Sequence, residues 1–156
     1  MAIRLHGHPL SGATRRVLVC LAEKGLDYEF VLVDLATGQQ KKEPFISINF
    51  FTSIYVVPGF EDGDMKLIES RAITRYMAHA YADKGTPLIF ENPKKMGIIG
   101  VWLEVETQRF HVAGQKLSFE ILIKPMKGMT TDDAVVKQFQ AQLAGVLDVY
   151  EARLST

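Results

Sequence analysis

Two apolar strand-like runs separated by a single helical stretch open the chain, and that order leaves few folds available. "IRLHG" alternates its side chains as a strand does, and the stretch from Arg15 to Lys24 carries Val17, Leu18, Cys20 and Leu21 on one face before Gly25, a C-terminal cap. "DYEFVLVDL" then brings aromatic and β-branched residues into a second strand-like run. Two strands joined through one helix run parallel, because the crossover returns the chain to the end of the sheet where it started.

Beyond Thr37 and Gly38 a polar loop leads to a short helix predicted over Pro44 to Ile48. "IYVVPGF" and "MKLI" flank "EDGD", whose Asp-Gly pair signals a turn between strands. Pro58 interrupts the first of these runs, which predicts an edge or bent strand. A further helix follows over Ser70 to Tyr81, and the whole order predicts a mixed sheet. At "ADKGTPLIFENPKK" Gly85, Pro87, Asn92 and Pro93 break all periodicity. This divides the chain into a first domain over 1–82, a linker over 83–92 and a helical region over 93–156.

In that helical region Lys95 to Ile123 reads as a long helix stopped by Pro125 and Gly128. Thr131, with Asp132 and Asp133 behind it, supplies a cap and negative charge for a last helix. There Val135, Phe139, Leu143, Val146, Leu147, Tyr150 and Leu154 recur at helical spacing, a stripe that predicts further helices or a partner to cover it.

Composition narrows the function. Lysine plus arginine and aspartate plus glutamate number 18 each, so the chain lacks the basic balance of a nucleic-acid binder. The lone cysteine, Cys20, excludes an internal disulfide and sits on the apolar face of its helix, as a packing residue does. "MAIRLHGHPL" is broken by Arg4, His6 and His8, unlike a secretory signal, and no apolar run nears the ~18 residues of a membrane span. These features predict a soluble, cytoplasmic protein with neither nucleic acid nor membrane as partner. His6 and His8 point the same way from a strand but have no third ligand near them in sequence, so no metal is predicted. "GATRR" does not have the spacing of a phosphate-cradling loop, and Trp102 and the methionines read as core.

Two places carry residues suited to chemistry. Ser11 precedes the first helix, where it serves either as an N-cap or as a hydroxyl donor to an anion held at the helix's positive end. "ESR" sets an acid, Glu69, beside a hydroxyl, Ser70, at another helix start, an arrangement suited equally to capping and to holding a ligand.

"GHPLSGATRRVLVCLAEKGLDYEF", "KKEPF", "VPGFEDGD", "LIESRAITRYMAHAYADKGT" and "VLDVYEARLS" together resemble the plant phi class of glutathione transferases over nearly the whole chain. The resemblance implies an α/β thioredoxin-like N-terminal domain followed by a truncated all-α C-terminal domain, since members continue through several more helices after "VLDVYEARLS". It implies conjugation of the glutathione thiolate to small hydrophobic electrophiles, in detoxification or stress response, by a homodimer. Glutathione enters as co-substrate, with no cofactor and no metal. Ser11 matches the catalytic serine, and glutathione falls on Ser11, Gly12, Gln40, Lys41, Val56, Val57, Pro58, Glu69 and Ser70. Lys41 faces the glycyl carboxylate, Val57 meets the cysteinyl backbone beside a cis proline, and Glu69 and Ser70 hold the γ-glutamyl end. The electrophile falls on apolar surface near Phe110 to Leu117 and Phe119.

The chain departs from the pattern in two places. Gln40 stands where members commonly have histidine. "INFFTSIYVVPGF" adds three residues and leaves Val56 in place of a glutamine; Phe50, Phe51, Ile54 and Tyr55 read as core or strand residues, or as a changed dimer contact. The alternative function is a catalytically weak binding protein of the same fold that carries apolar ligands.

Overall fold

Ile3 and Leu5 place apolar side chains on one side of strand β1 (Ile3–Gly7), and helix α1 (Gly12–Lys24) packs there through Val17, Cys20 and Leu21. The computed structural model describes residues 2–43, 45–48 and 57–155, and the chain divides into two compact units, residues 1–90 and 91–156. In the first unit β2 (Tyr28–Leu32), β3 (Gly59–Asp62) and β4 (Met65–Ile68) complete a sheet of order β2-β1-β3-β4, followed by helix α2 (Ser70–Ala80). β1 pairs parallel with β2 and antiparallel with β3, so the sheet is mixed, as its sequence predicts. Gly25 ends α1 in the left-handed conformation, φ 59°, where its lack of a Cβ removes the steric cost.

Leu5 lies opposite Phe60, and with Ile73 and Met77 one turn apart on α2 these form the centre of the core. Complete burial of each such side chain contributes roughly 1.5–3 kcal/mol. Tyr76 and Tyr81 both donate to Asp62, at 2.9 and 2.5 Å, which fastens α2 and the turn after it to the β3–β4 hairpin. Burial first, and Asp62 second, raise the Tyr81 hydroxyl above its ordinary pKa.

Two local expectations need correction. β3 is an interior strand between β1 and β4, not an edge: Pro58 precedes its first residue, so its missing N–H removes nothing from the ladder. The helix expected over Pro44 to Ile48 is a single 3₁₀ turn, Phe45–Ser47. Pro44 lies outside the described residues, as do 49–56 with Phe50, Phe51, Ile54, Tyr55 and Val56.

In the second unit α3 (Pro93–Val105), α4 (His111–Ser118) and the short α5 (Lys124–Met126) follow one another through two wide π-type turns, Glu106–Phe110 and Phe119–Ile123. Asn92 caps α3 by accepting from the N–H groups of Lys94 and Lys95, with Pro93 at the first helical position. The last helix, α6 (Asp133–Leu154), is capped by Asp132 rather than Thr131, because the Asp132 carboxylate accepts from Ala134 and Val135. Thr131 Oγ1 instead donates to the carbonyl of Glu120 at 2.9 Å. Tyr150 packs against Trp102 and Phe110, with ring centroids 5.6 and 6.0 Å apart. A groove of about 640 Å³ runs beside this cluster, lined by Ile98, Ile99, Trp102, Tyr150 and Leu154 with Lys95 and Arg153.

Glu120, only 6% exposed, organises the turn into α6 by accepting from Lys124 Nζ at 2.6 Å and from the Asp132 N–H at 2.9 Å. Lys124 first, and the Asp132 N–H next, hold its carboxyl below the usual carboxylate range. A folded pKa below the unfolded value of about 4.3 stabilises the fold fully above that pH, and the contribution is lost as pH falls through the folded pKa. Glu120→Gln is therefore expected to lower the urea midpoint at neutral pH, and its gap from the unsubstituted chain to close by roughly pH 2. A gap of equal size at both pH values would refute this role for the charge.

Candidate active site

Strand register brings the sites singled out in the sequence to one end of the sheet. β1 ends at Gly7 beside Leu32, so the segments that follow both strands, 8–11 and 33–41, start at the same end, and the Val33 N–H donates to the Gly7 carbonyl at 2.9 Å. β3 runs the other way with Gly59 opposite both His6 and Ile68, so Val57 and Pro58 precede it there and Glu69 follows β4 there. Helices α1 and α2 both begin at this end, each with first-turn N–H groups that lack intrahelical carbonyls and with the positive pole of its backbone dipoles.

Ser11 is the N-cap of α1, half-buried, with extended backbone at φ −77° and ψ 118°. Its Oγ accepts from the Thr14 N–H at 3.3 Å and its carbonyl accepts from the Arg15 N–H at 3.0 Å. The cap occupies a lone pair of that oxygen and leaves the hydroxyl hydrogen for a second partner, so capping and donation to an anion are compatible. The loop before it is fixed at several points. Ser11 N–H donates to the His8 carbonyl at 2.9 Å, Leu10 N–H to His8 Nδ1 at 3.2 Å, and Arg15 Nε to the Pro9 carbonyl at 2.7 Å. Gly7 permits the close seat of α1 on β1, since a Cβ there would stand 2.8 Å from Thr14 Oγ1. Gly12, exposed at the first position of the helix, leaves the space in front of that turn open.

Gln40 and Lys41 lie in the 3₁₀ turn Gln39–Lys41. Lys41 is exposed, whereas Gln40 Oε1 is buried with no hydrogen-bond partner among the described residues. The preceding turn is built on Asp34, whose carboxylate accepts from the Ala36 and Thr37 N–H groups and is held below the usual range, chiefly by the Ala36 bond. Val57 and Pro58 are buried and joined by a cis peptide bond, and Val57 packs with Val33 and Phe45. Val56 lies outside the described residues.

Glu69 is the N-cap of α2 at φ 66° and ψ 100°, a conformation that costs a non-glycine residue about 1–3 kcal/mol. Ser70, 4% exposed, accepts at Oγ from Arg16 Nη1 of α1 at 2.7 Å. Arg16 is the residue that sequence reasoning missed: its partner is 54 positions away, and nothing local marks it apart from its neighbour Arg15.

Other residues named from the sequence have structural partners. His6 Nε2 bonds to Glu61 at 2.5 Å across β1 and β3. Cys20 is buried in the core, and burial pushes its thiol up, away from the reactive thiolate. In the second unit Phe110 packs on Tyr150, while Val112 and Phe119 are exposed.

Residues 1–79 match the family described as glutathione S-transferase, N-terminal domain. The chain is 57% identical over 155 residues to glutathione S-transferase PARB of Nicotiana tabacum, covering 99% of this chain and 71% of that protein. It is 53% identical over 152 residues to glutathione S-transferase F7 of Arabidopsis thaliana, covering 97% and 71%. Among solved structures, glutathione transferase F7 from Populus trichocarpa superposes with a TM-score of 0.88 at 41% identity, over 99% of this chain and 71% of that one. Glutathione S-transferase I from mais, in complex with an atrazine glutathione conjugate, gives 0.84 at 37% identity, over 99% and 70%.

Proposed function

We infer how the site works from one premise: the chain belongs to the glutathione S-transferase family, in its plant phi class, and is a glutathione transferase. The observation that carries the mechanism is the meeting of two helix starts, one bearing Ser11 and the other Glu69 and Ser70, at one end of the sheet.

A thiol reacts as its thiolate, and a free thiol of pKa about 8.5 is only ~3% ionised at pH 7. The Ser11 hydroxyl donates to the glutathione sulfur, and the first turn of α1 adds its dipole, so the anion is favoured and the thiol proton passes to solvent. The sulfur lone pair then forms a bond to the electrophilic carbon, and the leaving group departs with its bonding electrons. Glu69 pairs with the γ-glutamyl ammonium, and Ser70 with the first N–H groups of α2 takes the carboxylate beside it. Val57 meets the cysteinyl backbone, while Gln40 and Lys41 receive the glycyl carboxylate, with Gly12 lining the approach to Ser11. In this reading the co-substrate supplies the nucleophile and no cofactor takes part.

Apolar surface in the second unit supports a hydrophobic electrophile, and the exposure of Ile98, Val101, Leu122 and Leu154 supports pairing with a second copy. No helix among the described residues is long and apolar enough to cross a membrane. Detoxification or stress response in the cytoplasm completes this reading. The chain is expected to be retained on immobilised glutathione and to conjugate chlorodinitrobenzene above the uncatalysed rate. Retention without conjugation would leave only the binding role, and loss of both would overturn the site.

A further inference from the structure

We propose that Arg16 is a positioning residue for the γ-glutamyl carboxylate of glutathione, acting through Ser70; this rests on the reading that Ser70 receives that carboxylate. Arg16 lies on α1 just over one turn beyond Ser11, yet its side chain reaches the first residue of α2, where Nη1 donates to Ser70 Oγ at 2.7 Å. A guanidinium is donor-only, so in this bond the serine oxygen must accept. Its one O–H hydrogen is thereby turned away from Arg16.

That matters because a carboxylate is acceptor-only and needs donors already aimed at it. An unrestrained hydroxyl must lose rotational freedom on binding, and fixing the rotor beforehand removes that cost. Ser70 is nearly fully buried, so little water competes for its oxygen, and the positive charge of Arg16 beside it adds attraction for the anion. The same bond ties α1 to α2, and thus joins the helix that faces the thiol to the helix that faces the γ-glutamyl end. A purely structural role would rest on that tie alone, and the two roles predict different ligand selectivity.

The test compares glutathione with 4-aminobutyryl-cysteinyl-glycine, the same peptide without the α-carboxylate, by calorimetric titration of the whole chain. Ser70→Ala and Arg16→Gln are each expected to weaken glutathione binding about tenfold, and the double variant to be little worse than either alone. Binding of the decarboxylated peptide is expected to be the same in the unsubstituted chain and in both single variants. Arg16→Lys keeps a cation and a donor, and is expected to recover part of the glutathione affinity. This milder variant carries the test if Arg16→Gln does not fold: equal weakening of both peptides by it overturns the proposal. Normal glutathione binding by Arg16→Gln alongside weakened binding by Ser70→Ala overturns the role of Arg16 alone. Normal binding by Ser70→Ala overturns the carboxylate reading and the proposal with it.

Discussion

Ser11→Ala is expected to raise the apparent pKa of the bound glutathione thiol by about 2 units, cutting the ionised fraction at pH 7 about 25-fold. It is also expected to cost the fold about 1 kcal/mol through the lost N-cap. The two effects share one oxygen, which accepts from the Thr14 N–H at 3.3 Å and, in the proposed mechanism, donates its hydrogen to the sulfur. Ser11→Asp separates them. A carboxylate accepts the cap bond as well as serine does, so stability is retained, but it has no hydrogen to donate and brings a negative charge toward the sulfur. Thiolate absorbance of the glutathione complex, followed against pH, measures the first effect, and urea unfolding measures the second. Conjugation should fall with the ionised fraction, though less steeply, since a more basic thiolate is the better nucleophile. It should approach the unsubstituted rate as pH rises past about 8.5. A Ser11→Ala chain whose bound thiol titrates normally would reduce the residue to a cap.

The sequence reveals most where the determinants are local. Helix α1 is legible from the spacing of Val17, Cys20 and Leu21 and from Gly25, and the β3–β4 turn from Asp62 and Gly63. The place of Pro58 is not, because a proline reports a missing donor but not which strand lies alongside. β3 becomes an interior strand through pairings with β1 and β4 that no local pattern encodes. The cap of α6 lies one residue beyond the Thr131 that the sequence favours, for a related reason. Thr131 and Asp132 are both good caps, and the choice is made by Glu120, which draws Thr131 to its carbonyl from 11 positions away. At the candidate site, Ser11, Glu69 and Ser70 stand out as polar residues at helix starts. Arg16 does not, since it reads as an ordinary exposed helix position until α1 and α2 are seen to pack together.

Gly85→Ala is expected to destabilise the first unit by about 4 kcal/mol, far beyond what a single methyl in a connecting segment suggests. Gly85 has φ +53°, which by itself costs an alanine roughly 1–2 kcal/mol. The larger part comes from position: a Cβ there would collide with the Glu23 carbonyl oxygen and stand 2.6 Å from Lys24 Cα. Both belong to the backbone at the end of α1, so no rotamer change relieves the clash and residues 84–86 must lift away. Thr86 would then lose the bonds from its N–H and Oγ1 to Glu23, at 2.8 and 2.7 Å. Lys24, 1% exposed, would lose the Lys84 carbonyl to which Nζ donates at 3.0 Å, and a buried donor left unpaired costs about 1–3 kcal/mol. Gly63→Ala isolates the conformational part, since Gly63 has φ +64° and open space where the Cβ would go. It should cost only about 1–2 kcal/mol by urea unfolding. In a Lys24→Met background no buried amine remains to be stranded, so Gly85→Ala should cost less there than in the native chain. Equal costs for Gly85→Ala and Gly63→Ala would show that residues 84–86 are not latched to α1 and that the buried amine finds another acceptor.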